Sequence, residues 1–232
     1  MKYALVTGGT RGIGLAACEL LAKNGYRVTA LYHKDEASAR TAKERLQGVN
    51  FVCADVSNEE EVKRVFDGIS SLDVLVNNAG IELYKLAQDT TFDEWKRVME
   101  VNAGGPFLCS KYAVRKMLDK GGAIVNISSV WGQTGASMES VYSASKGALI
   151  AFTKALAKEL APAKITVNCV CPGVVETEMM NRFSKDEKAA LVEEIPLGRF
   201  ALPEEIARAI LFLAENCYIT GEILSVNGGF YI

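Results

Sequence analysis

Short β-rich apolar runs alternate with longer amphipathic stretches along nearly the whole chain. Strands are predicted at Tyr3–Thr7, Arg27–Tyr32, Asn50–Ala54, Val74–Asn77, Ala123–Ser128, Ile165–Val170 and Ile223–Val226. Helical spacing of apolar positions fills the stretches 12–24, 36–47, 58–70, 91–101, 106–119, 140–161 and 203–214. The strand runs are continuously hydrophobic rather than alternating, as sheets covered by helices on both faces require. Strand-helix-strand repetition implies right-handed crossovers, and so a single doubly wound α/β domain over 1–232 with a seven-stranded parallel sheet. No linker, internal repeat or low-complexity tract interrupts it.

In such sheets ligands bind beyond the carboxyl ends of the strands. Five of the runs end there in glycine, small or polar residues: Thr7-Gly8-Gly9, Asp55-Val56, Asn77-Asn78-Ala79-Gly80, Ser128-Ser129 and Pro172-Gly173. The pattern places all five on one edge of the sheet, where a site is expected.

Composition narrows the function classes. Of 232 residues 49% are hydrophobic, enough for a large core, and the net charge of −2 comes from interleaved acids and bases. Nothing in that distribution suits a nucleic acid or an anionic membrane. No apolar stretch reaches the roughly 18 residues of a membrane span, and the start carries no secretory-signal pattern. The six cysteines mostly lie in apolar segments without metal-like spacing, which points to buried free thiols and a cytoplasmic setting. With His33 the only histidine, neither zinc nor a Ser-His hydrolase is expected.

The first strand-helix turn reads Thr7-Gly8-Gly9-Thr10-Arg11-Gly12-Ile13-Gly14. Glycines permit the tight turn and close approach of a pyrophosphate, and the following helix N-terminus offers amide donors. No Gly-Lys-Ser/Thr follows, so an ATPase is excluded. The second strand runs into Tyr32-His33-Lys34 without the acid that binds the ribose hydroxyls of NAD. Arg11, His33 and Lys34 instead suit a 2′-phosphate, so NADP(H) is the expected cofactor. Asp55 has two readings that local sequence leaves open. Its carboxylate either meets the adenine or caps the next helix, a task Ser57 performs equally well.

Tyr142 and Lys146 stand four apart at the start of a long helix, on one face, so the ammonium is expected to bring the phenol toward a working pKa. Together with the opening turn, Asn77-Asn78-Ala79-Gly80, Asn102, Ser129, Pro172-Gly173, Ile219-Thr220-Gly221 and Asn227-Gly228-Gly229, this pair resembles the classical short-chain dehydrogenase/reductase family, in its 3-oxoacyl-[acyl-carrier-protein] reductase-like branch. The resemblance runs the length of the chain and implies a Rossmann-type fold. It implies that Tyr142 donates the proton, Lys146 supports it and binds the nicotinamide ribose, Ser129 rather than Ser128 orients the carbonyl, and Asn102 holds a relay water. It further implies cofactor contacts at Gly8, Thr10, Arg11, Gly12, Ile13, Gly14, His33, Lys34, Asp55, Val56, Asn78, Ala79, Gly80, Pro172, Gly173, Val175 and Thr177, with Asn77 along the adenosine. By the same resemblance 174–200 is a substrate lid, and Met179, Met180, Phe183, Trp131 and Gln133 are candidate pocket walls.

The resemblance leaves two named substrates, with other small ketones open as a third class. A carrier-bound 3-oxoacyl thioester would need basic docking residues, for which Lys116 and Lys120 are candidates, although Ala161-Pro162-Ala163-Lys164 lacks an arginine common in fatty-acid reductases. The stretch Ser129-Val130-Trp131-Gly132-Gln133-Thr134-Gly135-Ala136-Ser137 resembles reductases of a 5-aminopentanone group on a lysine of elongation factor P. A cofactor-binding regulator without activity is disfavoured, because Ser129, Tyr142, Lys146 and Asn102 occur together. The small, apolar helix 140–161 is expected to pack in a homo-oligomer, a tetramer by the family's habit and a dimer next.

Overall fold

The computed structural model describes residues 2–232, apart from the side chain of Met179. Seven strands form one parallel sheet: β1 (Lys2–Thr7), β2 (Tyr26–Tyr32), β3 (Asn50–Cys53), β4 (Val74–Asn77), β5 (Gly122–Ile127), β6 (Ile165–Pro172) and β7 (Ile223–Val226). Their order is β3-β2-β1-β4-β5-β6-β7, so the winding reverses between β1 and β4. Among the described residues nine α-helices connect and cover them: α1 (Gly12–Lys23), α2 (Glu36–Arg45), α3 (Glu59–Asp67), α4 (Phe92–Met99), α5 (Gly105–Met117), α6 (Val130–Thr134), α7 (Ser140–Leu160), α8 (Lys185–Glu193) and α9 (Pro203–Glu215). This is the doubly wound Rossmann-type fold that the alternation predicts.

Two cores sandwich the sheet. Ala4, Val6, Val28, Val76 and Val125 pack on one face against Ala17 and Leu21 of α1 and Ile206 and Ile210 of α9. Leu5, Leu75, Ile124 and Val167 pack on the other against Phe66 of α3 and Tyr112, Ala113 and Met117 of α5. Period-2 side-chain alternation sends consecutive strand residues to opposite cores, so both sets must be apolar. Each fully buried Leu or Ile contributes about 1.5–3 kcal/mol of transfer free energy.

Three departures from the expected elements bear on function. The stretch expected as one helix at 91–101 is α4 followed by a π-helical turn, Glu100–Gly104, that runs directly into α5. A π-turn adds a residue to the helix and re-aims its neighbours. The short helix α6 falls in a stretch without predicted structure, and β6 continues past Val170 to Pro172, paired with Val226. By contrast, the 174–200 segment is helical without a strand, as its pattern predicts: it holds a 3₁₀ turn (Glu178–Arg182) and α8, and is tied to the body where Val175 bridges Ala201. Among the described residues no helix is long and apolar enough to cross a membrane.

Candidate active site

The parallel order brings the five marked strand ends to one edge, with the opening glycine turn at its centre. Gly8 takes φ +65°, a left-handed conformation natural to glycine, and lies against Asn78 and Ala79 from the end of β4. A Cβ on Gly14 would overlap the Gly8 carbonyl oxygen, which explains a glycine inside the first turn of α1. Thr7 Oγ1 accepts the N–H groups of Asn78 and Ala79, both at 2.9 Å. The Asn78 amide donates to the carbonyls of Thr7 (3.0 Å) and Gly8 (3.1 Å).

The N-terminus of α1 has no side-chain cap and no acid in its first turn, whereas Asp35, Asn58, Thr91 and Ser184 cap α2, α3, α4 and α8. Its amide donors are thus left for an anion, and the cradle that a Cβ would fill fits the pyrophosphate of a dinucleotide. Thr177, following β6, closes this cradle from the other side, 3.2 Å from where a Gly12 Cβ would stand. A cavity of about 370 Å³ opens there, lined by Gly12, Leu15, Thr177, Glu178 and Pro203 among others.

At the end of β2 the expected cations are only partly free. Arg11 pairs with Asp35 (3.0 Å) and Glu178 (3.2 Å), while Lys34 is exposed. His33 Nε2 lies 3.5 Å from Asp55 Oδ2, which also receives Arg97 at 3.1 Å. Asp55 Oδ1 accepts from the backbone and hydroxyl of Ser57, closing a tight turn. Burial raises the Asp55 pKa, but the Ser57 and Arg97 hydrogen bonds outweigh it and hold the carboxyl below the usual range. Neither Asp55 nor Ser57 caps α3. Asn58 does, accepting from Glu60 and Glu61, so the capping readings of Asp55 and Ser57 are both corrected.

Across the β4–β5 edge stand Tyr142 and Lys146, one turn apart at the start of α7, with Ser129 opposite as the N-cap of α6. The Lys146 ammonium is 5.6 Å from the centroid of the Tyr142 ring and donates to the Ile127 carbonyl at 2.8 Å. Ser128 is turned away, its hydroxyl donating to the Lys146 carbonyl, so Ser129 is the serine that faces the phenol. The fully buried Asn102 sits in the π-turn. It accepts from Ile81 N–H (2.8 Å) and donates to Ile81 O (2.8 Å) and Ser145 Oγ (3.0 Å). Asn102 Oδ1 and Lys146 Nζ converge beside Gly80, each 3.3 Å from the point where its Cβ would lie.

Burial pushes the Tyr142 phenol above its ordinary pKa; Ser129 opposes this, Glu139 and Glu82 add to it, and Arg182 works against it. The expectation that Lys146 brings this phenol down is not met: burial outweighs the charges around the phenol, and the ammonium is directed at the Ile127 carbonyl. Burial lowers Lys146 itself from 10.5 to about 8.

Other expectations are also corrected. Asn77 faces the interior, donating to Ser110 and Asn126, and not an adenosine groove. Lys116 and Lys120 lie at the opposite edge of the sheet, where Lys120 pairs with Asp73 just before β4, so they cannot flank the site. The cysteines agree with expectation: all six are free and four are buried, with Cys53 and Cys217 exposed. Of the candidate walls, Trp131 packs edge-on against Phe230 (5.3 Å), Gln133 bonds Ser225, Met180 is buried and Phe183 half-buried. Met179's side chain lies outside the described residues.

Sequence reasoning missed Glu82, Glu139 and Arg182, and the bonds by which Thr7 Oγ1 holds the β4 end. It also missed Asn126 and Thr153, which carry a buried hydrogen-bond chain from Asn77 to α7. Asparagines interrupting apolar strand runs were the available signal for this chain.

Residues 8–231 match the family model described as "Enoyl-(Acyl carrier protein) reductase". The chain is 46% identical to carbonyl reductase family member 4 of Danio rerio, over 98% of this chain and 97% of that one. It is 43% identical to 3-oxoacyl-[acyl-carrier-protein] reductase FabG of Aquifex aeolicus, over 99% and 97%. With the uncharacterized oxidoreductase YmfI of Bacillus subtilis the identity is 41% over 99% of each. An uncapped glycine cradle, a Tyr-Lys pair on α7 and matches spanning the chain agree: this protein belongs to the short-chain dehydrogenase/reductase family of nicotinamide-dependent oxidoreductases, in its 3-oxoacyl-[acyl-carrier-protein] reductase-like branch.

Proposed function

We propose that the protein is an NADP(H)-dependent carbonyl reductase in which Tyr142 protonates the carbonyl oxygen. One observation carries the reading: Tyr142 and Lys146 meet Ser129 and Asn102 at the same sheet edge as the glycine cradle. The bound nicotinamide supplies hydride to the carbonyl carbon. Ser129 Oγ orients the carbonyl and donates to the developing oxyanion, while the Tyr142 hydroxyl passes its proton to that oxygen. Lys146 holds the nicotinamide ribose. Asn102 and Lys146, which flank Gly80, would hold the water that returns the proton. Gly8, Thr10, Gly12, Ile13, Gly14 and the α1 amides hold the pyrophosphate, Arg11 and Lys34 the 2′-phosphate, and Thr177 the carboxamide. The 174–200 segment serves as the lid, and α7 as the face of a homotetramer.

The relatives named 3-oxoacyl-[acyl-carrier-protein] reductase support a 3-oxoacyl thioester as substrate. Specific features favour the second reading, a 5-aminopentanone group on elongation factor P. The half-buried Trp131, two residues after Ser129 and packed edge-on against Phe230, would reshape a pocket for a bulky acyl chain. Glu82 and Glu139 place two carboxylates against one guanidinium beside Tyr142, a charge balance that suits an amino ketone. The 174–200 segment has six acidic residues against four basic ones, a poor surface for an acidic carrier. NADPH oxidation is to be measured with acetoacetyl thioesters and with aminopentanone-modified elongation factor P. Tyr142→Phe should lose at least roughly 10²-fold in rate while binding NADPH nearly as before. A variant of near-normal rate would remove Tyr142 from its role.

A further inference from the structure

One ion cluster beside the site takes no part in the proton transfer described above. Arg182, at the end of the 3₁₀ turn Glu178–Arg182, reaches Glu82 in the loop after β4 at 2.9 Å and Glu139 just before α7 at 3.0 Å. Its guanidinium also lies over the rings of Tyr84 (4.8 Å) and Phe183 (4.5 Å). Its side chain is 28% exposed, that of Glu82 28% and that of Glu139 9%, so the cluster is largely withdrawn from water and its charges are weakly screened. Three segments far apart in sequence thus meet through one side chain.

The cluster is held firmly on the body side. Lys85 N–H donates to the Met138 carbonyl, pinning the Glu82 loop to the residue before Glu139. Glu139 stands three residues before Tyr142, and its carbonyl accepts the Ser143 N–H of the same first turn of α7. Only Arg182 comes from the 174–200 segment. When that segment moves, the two carboxylates lose their cation and keep their place near the phenol.

We propose that Arg182 is a positioning residue that latches the 174–200 segment onto Glu82 and Glu139 and so couples its closure to the charge balance around the Tyr142 hydroxyl. This rests on the reading of Tyr142 as proton donor. The charged and titratable groups facing Tyr142 are Lys146 from α7, Glu139 from the residue before it, Glu82 from the β4 loop and Arg182 from the latch. Two carboxylates oppose phenolate formation and one guanidinium favours it, in line with the directions found for Tyr142. An open segment therefore leaves a weak acid, and a closed one a stronger acid, so proton transfer is favoured only with the pocket shut.

The test is the ionisation of Tyr142, followed as the phenolate absorbance of each protein minus its Tyr142→Phe counterpart, with NADP⁺ bound. Arg182→Gln should move the transition up by roughly one pH unit and Glu139→Gln down by a similar amount. The double variant should return near the parent, and Arg182→Lys, which keeps the charge, should shift less than Arg182→Gln. In NADPH oxidation with acetoacetyl-CoA, Arg182→Gln should lower kcat roughly tenfold with a smaller change in KM. Shifts of the same sign in Arg182→Gln and Glu139→Gln, or no shift in either, overturn the latch. Full turnover by Tyr142→Phe itself overturns instead the proton-donor reading on which it rests.

Discussion

Cofactor choice turns on Arg11, and its surroundings allow the effect to be worked out. The guanidinium bridges Asp35 and Glu178, all three side chains at least a third exposed. Exposed pairs of this kind contribute about 0.2–1 kcal/mol each, so releasing both costs about 0.4–2 kcal/mol. Hydrogen bonds to a charged group contribute about 1.5–3 kcal/mol, and a 2′-phosphate near −2 charge offers a bidentate partner. The phosphate wins by roughly 1 kcal/mol, or about five- to tenfold in affinity. Arg11→Ala is therefore expected to weaken NADPH by about that factor while changing NADH by less than about twofold. Asp35→Asn removes the competing charge, keeps an acceptor for Ser38, and is expected to tighten NADPH. Nicotinamide fluorescence titrations at low and high salt check both, the NADPH effect shrinking as salt rises. Equal weakening of the two cofactors by Arg11→Ala, or looser NADPH binding by Asp35→Asn, would refute the reasoning.

Two further perturbations probe the cradle and the lysine. Gly14→Ala drives a methyl into the Gly8 carbonyl oxygen and to 2.6 Å from the Asn78 amide, so the loop must shift. A stability loss of about 1–3 kcal/mol by thermal melting, with dinucleotide affinity falling more than tenfold, is expected; unchanged affinity would mean that the turn does not hold the cofactor. Lys146 has its pKa lowered to about 8 in the fold from 10.5, so its ammonium prefers the unfolded chain. The penalty is full below pH 8 and gone above 10.5, because over that window the unfolded state binds more protons and stability rises with pH. Relative to Lys146→Met, the parent should gain about 3 kcal/mol across the window by urea unfolding, and parallel curves would show that Lys146 is not desolvated.

The sheet was legible because parallel strands covered on both faces must be continuous apolar runs, and the glycine turn and Tyr142-x-x-x-Lys146 declare themselves within eight residues. Elements defined by side chains at a distance were not. The cap of α3 falls on Asn58 because its carbonyl reaches two amides, a choice that Asp55, Ser57 and Asn58 offer equally on paper. The π-turn that buries Asn102 leaves the apolar period nearly intact, so 91–101 reads as an ordinary helix. The partners of Arg182 lie 43 and 100 residues away in the chain, and no local pattern joins them. Lys116 and Lys120 failed for a related reason: composition shows that a helix carries cations, but only the strand order shows which edge they reach.

What positions the reacting groups is largely polar and internal. Asn77 donates to Asn126, Asn126 to Thr153 and Thr153 to the Leu149 carbonyl, all buried. Asn102 donates to Ser145, which donates to the Tyr142 carbonyl, and Ser128 donates to the Lys146 carbonyl. These chains reach α7 at Ser145, Lys146 and Thr153, over about two turns, and Ser145 and Thr153 bond back to the Tyr142 and Leu149 carbonyls within the helix. Apolar packing alone resists separation of α7 from the sheet but tolerates small slides along its axis, since dispersion is non-directional. Hydrogen bonds of 2.7–3.0 Å do not tolerate them, because a displaced donor in a dry interior regains no water. Each bond adds only about 1 kcal/mol of net stability, so the arrangement is explained by alignment more than by stability. A proton must pass from Tyr142 across a hydrogen-bond distance, and a helix free to slide by an ångström would break that path.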